Sequence, residues 1–303
     1  MSLATPHGDK LKALILNGKL PVGDQERIKQ AIQRYDEWVS AIRNITGNFN
    51  KIIEKSVALL NEYRKFIDLE VIFDSPDDFL YRQKGQLKLD NTVVEEFIPY
   101  LVFKIFPELI DSFYLGPQSC FSALYFTSTL RTAHGLPGMR IRVKDQDFAI
   151  AKKLYIKTSF DPSFNQGSET VDTHIGYISA ECKTNLDKTM FQEASATAHD
   201  VKTGIPGAKY LLLCEWLDMT PITTTGTDID EVLLLRKSKR LSSQISSNFS
   251  TRAGRQASRS AYERYLIAHP FAPDVFARFI EHIKAFVENR DPNEEDVLSK
   301  GYF

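Results

Sequence analysis

The sequence has few cysteines and no long apolar run, and each lack excludes a class of protein. Cys120, Cys182 and Cys214 are odd in number and lie in apolar or strand-like stretches, which favours reduced, mostly buried thiols over a disulfide framework. The longest apolar runs, such as residues 97–106, are too short and too interrupted to span a bilayer. No segment near the start has the order of a secretion signal. We therefore expect a cytoplasmic protein with no membrane partner.

Several catalytic motifs are missing as well. The sequence has no G-x4-G-K-[ST] loop, no G-x-G-x-x-G turn and no G-x-S-x-G elbow, which argues against an ATP-driven motor, a dinucleotide enzyme and an α/β-hydrolase. The six histidines show no metal-ligand spacing with each other or with the cysteines, so a zinc site is not expected. The formal net charge of -1 gives no sign of nucleic acid, so any anionic partner must meet a local basic patch.

What is present indicates a globular α/β protein, because 303 residues with 43% hydrophobic content can bury a full-sized core. Apolar residues follow a helical spacing from residue 8 to about 114, and residues 92–95 fit a capping box for one of these helices. Strands are predicted only after Arg131. We expect a helical region at 1–125, a core at 126–235, and a basic segment with a C-terminal helix, starting near Pro273, at 236–303.

The predicted core has a defined strand order. Residues 148–157 and 173–184 show β-type alternation around a loop near residue 165, which predicts an antiparallel hairpin. A helix capped by Asn185 or Asp187 follows, and it leads to an apolar strand at 210–216. A right-handed crossover then makes the last strand parallel to the one that ends at Thr184. The sheet is therefore expected to be mixed and flanked by helices.

The end of the second hairpin strand carries the residues most suited to chemistry. Side chains two apart on a strand share a face, so Glu181 and Lys183 project together while Cys182 faces the other layer. Hydrolysis of a phosphodiester needs a carboxylate that holds a hard cation and a group that orients or deprotonates the attacking water. Glu181 suits the first role and Lys183 the second. The alternative is a solvated strand face with charge pairing across strands.

A magnesium site at this position needs a second carboxylate. Asp147 is our choice, because the hairpin places the start of its strand beside the end of the strand with Glu181. Asp145 faces the same way and comes second. Asp161 comes third, because this hairpin puts it in the turn at the far end. An acid-x-lysine pattern is expected about twice by chance in a chain of this composition. The interpretation therefore depends on the position of Glu181 and Lys183 at the end of a predicted strand.

The order of these elements resembles the core of the PD-(D/E)xK nucleases. Residues 180–194, AECKTNLDKTMFQEA, are similar to type II restriction endonucleases, and most of all to the BbvCI-like group, which reads sites of the CCTNAGC kind with two related subunits. Gln146 stands where the family has proline. The resemblance implies a bacterial enzyme that uses Mg²⁺ to cut double-stranded DNA and leaves 5′-phosphate ends. It also implies a homodimer or a heterodimer with a related subunit, and a cognate DNA methyltransferase.

The resemblance also points to other site residues. Such nucleases often carry a glutamate on a helix before the core, and Glu95 or Glu96 could occupy that position, although Glu95 already suits the capping box. Gln192 on the crossover helix could face the metal, although a polar surface residue is the simpler interpretation.

Residues 236–264 form the basic segment, with eight basic side chains against one acidic residue, Glu263. We expect it to neutralise phosphates and to read guanine edges, with Tyr262 and Tyr265 near the DNA backbone. A solvated loop is the alternative. A repair or junction-resolving nuclease and a non-enzymatic DNA-binding protein also remain open as functions. The basic residues expected to contact DNA are Arg236, Lys237, Lys239, Arg240, Arg252, Arg255 and Arg259.

Overall fold

A five-stranded mixed sheet runs through the middle of the molecule in the order β1-β2-β3-β4-β5. The structure is a computed structural model that describes residues 3–127, 135–288 and 294–301. β1, β2 and β3 are antiparallel neighbours, whereas β3, β4 and β5 run parallel. The predicted hairpin and parallel crossover are confirmed. The strands are β1 (Tyr114–Phe126), β2 (Met139–Thr158), β3 (Glu169–Leu186), β4 (Lys209–Leu217) and β5 (Glu231–Lys239).

Helices cover both faces of the sheet. Before the sheet lie α1 (Pro6–Ile15), α2 (Val22–Arg43), α3 (Phe49–Phe66), which continues as a π-helical segment (Ile67–Phe73), α4 (Phe79–Leu87), α5 (Asn91–Ile105) and the short α6 (Leu109–Ser112). Between β3 and β4 lies α7 (Lys188–Gly204), and after β5 come the short α8 (Ser243–Ser246), a 3-10 turn (Ser247–Ser250), α9 (Arg252–Ala268), α10 (Pro273–Val287) and α11 (Glu294–Lys300). Among the described residues, no helix is long and apolar enough to cross a membrane.

The crossover helix α7 begins where the sequence predicted it. The side chain of Asp187 accepts a hydrogen bond of 2.8 Å from the Met190 amide, which satisfies one of the free N–H groups of the first turn. The buried side chains of α7 recur every three or four residues and pack against β4. This packing fixes the face of the sheet on which α7 lies.

The opposite face carries the larger core, which is built from the N-terminal helices and α10. The buried side chains of α10 are Phe276, Phe279, Ile280 and Ile283, each 0% exposed, at the spacing of one helical face. The ring of Phe279 lies 5.8 Å from that of Phe148 on β2. The same core contains side chains of the N-terminal helices and of the five strands, so these helices also pack on the sheet that carries the candidate site.

The prediction that strands begin only after Arg131 is wrong. β1 already starts at Tyr114, inside the range 1–125 that was assigned to the helical region. β1 accommodates Gly116 and Pro117 at an irregularity of its register with β2, where Gly116 adopts a φ of +141°. β5 was also missed, and the expected boundary between residues 235 and 236 falls within it.

The predicted capping box is wrong as well. Asp90, not Thr92, is the N-cap residue of α5, and the Thr92 hydroxyl donates a hydrogen bond of 2.6 Å to the carbonyl of Lys88. Glu95 bonds instead with the side chain of Asn91, at 2.5 Å. Because Glu95 has no capping role, its side chain is available to the site described next.

Candidate active site

Asp147 and Glu181 come together where β2 and β3 pair. The register sets Phe148 opposite Ala180, so Asp147 lies beside the segment that begins with Glu181. One carboxylate oxygen of Asp147, Oδ2, accepts a hydrogen bond of 2.8 Å from the backbone N–H of Cys182. The position of the Asp147 carboxylate is thus tied to the backbone between the two other candidate residues.

Glu181 is held by two neighbours. Its Oε2 accepts a hydrogen bond of 2.8 Å from the hydroxyl of Tyr210, a fully buried residue on β4, and its Oε1 lies 2.6 Å from Nζ of Lys183. The side chains of Glu181 and Lys183 remain 20% and 24% exposed. They are therefore oriented by the protein and still accessible from the cleft described below.

The charges of these groups influence one another. Burial raises the pKa of Asp147, and the negative charge of Glu181 raises it further, against the opposing effect of the Cys182 amide. Burial lowers the pKa of Lys183, but the hydrogen bond and charge of Glu181 and the charge of Asp147 outweigh it, so the net shift is upward. The site thus combines two neighbouring carboxylates with a lysine that stays protonated.

Glu95 on α5 belongs to the same electrostatic group. It is buried, and burial together with the charge of Asp147 raises its pKa to about 7. Its partner Asn91 accepts a hydrogen bond of 3.3 Å from the Thr184 hydroxyl, one residue beyond Lys183. The start of α5 is therefore linked to the end of β3, as required if Glu95 is to serve the site.

Asp147, Glu181 and Lys183 line one open cavity of about 840 Å³, which we call the cleft. Its walls come from the N-terminal helices, from the ends of β3 and β4, and from the region after β5. The basic residues that line it are Arg64, Lys84, Lys88, Lys183 and Arg240, and its serines include Ser243, Ser246 and Ser247.

The donor set suits a hard divalent cation. In the described part of the chain, no group of three or more His, Cys, Asp and Glu side chains is close enough to hold a metal. Mg²⁺ does not need such a cage, because it commonly keeps several waters and uses one or two carboxylates together with substrate phosphate oxygens. Asp147 and Glu181 provide two adjacent carboxylates, and their mutual repulsion is what a cation would relieve.

Four of the other sequence candidates lie away from this centre. Asp145 is exposed, hydrogen-bonded to Ser119 and not among the residues that line the cleft. Asp161 lies in the β2–β3 turn, where its carboxylate accepts bonds from Ser163, Asn165 and Gln166. Glu96, fully buried, accepts bonds from the amides of His7 and Gly8 and from the Tyr35 hydroxyl. Gln192 is exposed on α7 and does not line the cleft.

The expectation that Arg236 and Arg255 contact DNA needs correction. Arg236 is 5% exposed, pairs with Glu215 at 3.3 Å and lies 3.7 Å from the centre of the Phe271 ring. Arg255 is 1% exposed and pairs with Asp78 at 2.9 Å. Both guanidinium groups are used inside the protein, because a buried charge requires partners.

The remaining basic candidates are on the surface or partly exposed. Lys237 is paired with Asp274, Arg240 with Asp218 and Arg259 with Asp74 and Glu263, whereas Lys239 and Arg252 are exposed. Of these five, only Arg240 lines the cleft. The sequence analysis did not predict any role at the site for Tyr210, Asn91, Lys84 and Lys88, because no sequence motif includes them.

The overall structure is similar to a solved one. A chain from a structure described as "native BbvCI A2B2 tetramer at low resolution" aligns over 89% of this chain and 100% of its own, with a TM-score of 0.55 and 20% identity. This likeness confirms the fold class, an α/β protein with a mixed sheet flanked by helices. No curated protein sequence matches the chain.

A type II restriction endonuclease is a site-specific deoxyribonuclease, and the comparison with protein families places this chain in that class of enzyme. The model of the Bpu10I restriction endonuclease matches residues 86–303, more than half of the chain. This chain belongs to the Bpu10I restriction endonuclease family, whose members act as nucleases in restriction-modification. The match covers the whole sheet, the candidate site and the region that follows it.

Proposed function

We propose that this chain is a Mg²⁺-dependent restriction endonuclease subunit of the PD-(D/E)xK superfamily, and that it hydrolyses DNA phosphodiester bonds to leave 5′-phosphate ends. The observation that carries the proposal is the meeting of Asp147, Glu181 and Lys183 in one cleft. Asp147 and Glu181 would bind the cation. When bound, Mg²⁺ supplies positive charge against the charge that develops on the phosphate.

The chain's own groups would orient the reactants. The raised pKa of Lys183 keeps its ammonium group protonated, so it acts as a hydrogen-bond donor to the attacking water and the phosphate. The Tyr210 hydroxyl fixes the carboxylate of Glu181, and the Cys182 amide fixes that of Asp147. Attack in line with the departing 3′-oxygen would give a 5′-phosphate and a 3′-hydroxyl.

We also propose the partners of this reaction. One site cuts one strand, so double-strand cleavage requires a second copy of the chain or a related subunit. The similar BbvCI chain comes from an A2B2 tetramer. A type II enzyme further requires a cognate DNA methyltransferase that protects the host sites, and we expect both to act in the bacterial cytoplasm. The resemblance makes sites of the CCTNAGC kind the first sequences to test.

The proposal is tested by incubating the purified protein with unmethylated phage or plasmid DNA in Mg²⁺, and in chelator. Discrete fragments or site-specific nicks that require Mg²⁺ are expected, and nicks alone indicate a missing partner subunit. Glu181→Gln and Lys183→Ala should abolish cutting, whereas Gln192→Ala, an exposed residue outside the cleft, should keep it. Equal cutting by all three variants, or no Mg²⁺-dependent cutting of any site with candidate partners present, would refute the proposal.

A further inference from the structure

Lys88 occupies an unusual backbone position in the wall of the cleft. It is the C-cap residue of α4 and adopts a left-handed conformation, with φ 51° and ψ 32°. Glycine or asparagine suits such a position better, because a Cβ atom with a long side chain is disfavoured there. Among the described residues, Lys88, Phe164 and Lys237 are the non-glycine residues with positive φ, and of these Lys88 lines the cleft.

Hydrogen bonds on both sides fix this backbone. The Lys88 N–H donates to the Lys84 carbonyl at 2.8 Å, and the Lys88 carbonyl accepts from the Thr92 hydroxyl at 2.6 Å. Lys88 thus joins the end of α4 to the first turn of α5, the helix that carries Glu95. Strained conformations persist where the surrounding structure holds them, and they cluster at functional sites.

The ammonium group of Lys88 has no ion-pair partner in the described part of the chain. Three of the other basic side chains that line the cleft form ion pairs, Arg64 with Asp68, Lys183 with Glu181 and Arg240 with Asp218, and the fourth, Lys84, lies over the Tyr81 ring. Lys88 is exposed, and its charge still reaches Asp147 and Glu95, since it lowers the pKa of both against the larger effect of burial. An unpaired cation is thus present near the two carboxylates.

We propose that Lys88 binds a phosphate group of the DNA strand that is cut, and so positions that strand against Asp147 and Glu181. The ammonium group of Lys183 is paired with Glu181, whereas that of Lys88 has no ion-pair partner among the described residues and can contact a phosphate oxygen. A lysine acts on phosphate as a point charge and requires no fixed geometry. The inference rests on the proposed function, because it assumes that DNA enters this cleft.

The test measures binding of a short random-sequence DNA duplex without metal, over a series of salt concentrations. Lys88→Gln should weaken binding about threefold to tenfold and reduce the slope of log Kd against log salt by about one, because one phosphate contact is lost. Lys88→Arg should keep the slope of the wild type. Lys29→Gln removes an equal charge from an exposed site on α2, outside the cleft, and should change neither quantity.

Lys88→Gly separates binding from folding. Glycine fits the left-handed backbone, so this variant should have a Tm at or above that of Lys88→Gln while it binds DNA equally weakly. Wild-type affinity and salt slope in Lys88→Gln would overturn the inference even if the wild type cuts DNA. A wild type whose binding depends on Lys88 but which fails to cut with Mg²⁺, even with candidate partner subunits present, would instead refute the proposed nuclease activity and leave the phosphate contact standing.

Discussion

The hydroxyl of Tyr210 on β4 donates a hydrogen bond of 2.8 Å to Oε2 of Glu181 on the neighbouring strand β3. Tyr210 is fully buried, so the bond connects the interior of the sheet to a group that is open to the cleft. Burial, and after it the nearby negative charge of Glu181, raises the pKa of Tyr210, which therefore remains a hydrogen-bond donor at all physiological pH values. The orientation of Glu181 is thus set by the core.

Tyr210→Phe should therefore slow DNA cleavage by about tenfold and raise the Mg²⁺ concentration needed for half-maximal rate, because the Glu181 carboxylate loses a charge-assisted hydrogen bond worth roughly 1.5–3 kcal/mol. Single-turnover rates across a Mg²⁺ series measure both effects. Tyr155→Phe, which removes the same hydroxyl from an exposed position on β2, is the matched control. An unchanged Mg²⁺ dependence in Tyr210→Phe would show that the bond does not orient the ligand.

The two aspartates of β2 should differ sharply. Asp147→Asn should reduce cleavage by about 100-fold or more, because it removes a negative charge that would hold the cation. The same variant should be slightly more stable to heat, since the repulsion between Asp147 and Glu181 disappears. Asp145→Asn should cut within a few-fold of the wild type, because Asp145 bonds to Ser119 outside the cleft. If Asp145→Asn lost more cleavage activity than Asp147→Asn, Asp145 would be the metal ligand instead of Asp147.

Arg255 should be a stability residue. Its guanidinium group donates to the carbonyls of Phe73 and Ser75 and pairs with Asp78, so Arg255→Ala should lower the free energy of unfolding by about 3–5 kcal/mol. Arg252→Ala, an exposed change on the same helix, should stay within about 0.5 kcal/mol of the wild type. Urea denaturation measures both. A stable Arg255→Ala protein with weakened DNA binding would restore the original role that the sequence suggested.

Acid should destabilise the protein through His7. Burial and the charge of Arg64 lower the pKa of His7 from 6.5 to about 3, so the folded protein binds fewer protons at this site than the unfolded chain. Stability therefore rises with pH between about 3 and 6.5, by up to about 1.4 kcal/mol per pH unit. Between pH 6 and pH 4, the free energy of unfolding of the wild type should fall relative to that of His7→Gln by up to about 1.4 kcal/mol for each pH unit. Parallel stability curves for the two proteins would contradict the assignment.

The core of the site could be predicted because it depends on local geometry. The two-residue period of a strand places Glu181 and Lys183 on one face, and a hairpin with a visible turn brings Asp147 beside them. The same reasoning correctly set Asp161 in the distant turn. The alternation of apolar residues and the turn residues are properties of short segments. The positions of Glu181, Lys183 and Asp147 relative to one another could therefore be predicted without knowledge of the rest of the fold.

The other parts of the site depend on contacts between distant segments. Lys88 lines the cleft, Glu95 is influenced by the charge of Asp147 and Tyr210 bonds to Glu181 only because α4, α5 and β4 pack as they do, and no local sequence pattern predicts that packing. A count of basic residues also says nothing about burial, which is why Arg236 and Arg255 were assigned to DNA. Burial of a charge depends on whether partners such as Glu215 and Asp78 meet it in the folded chain.

The buried ion pairs of Glu215 connect an N-terminal helix to the sheet. Arg64 on α3 lies 3.1 Å from Glu215 on β4, and Arg236 on β5 lies 3.3 Å from the same carboxylate. The family match begins at residue 86, so Arg64 comes from a part of the chain outside it. A chimaera that took its first 85 residues from a relative would leave Glu215 with half of its compensating charge, unless the graft supplied a cation at the same place. The N-terminal helices and the nuclease sheet are therefore not interchangeable modules, and they can diverge only as a matched set.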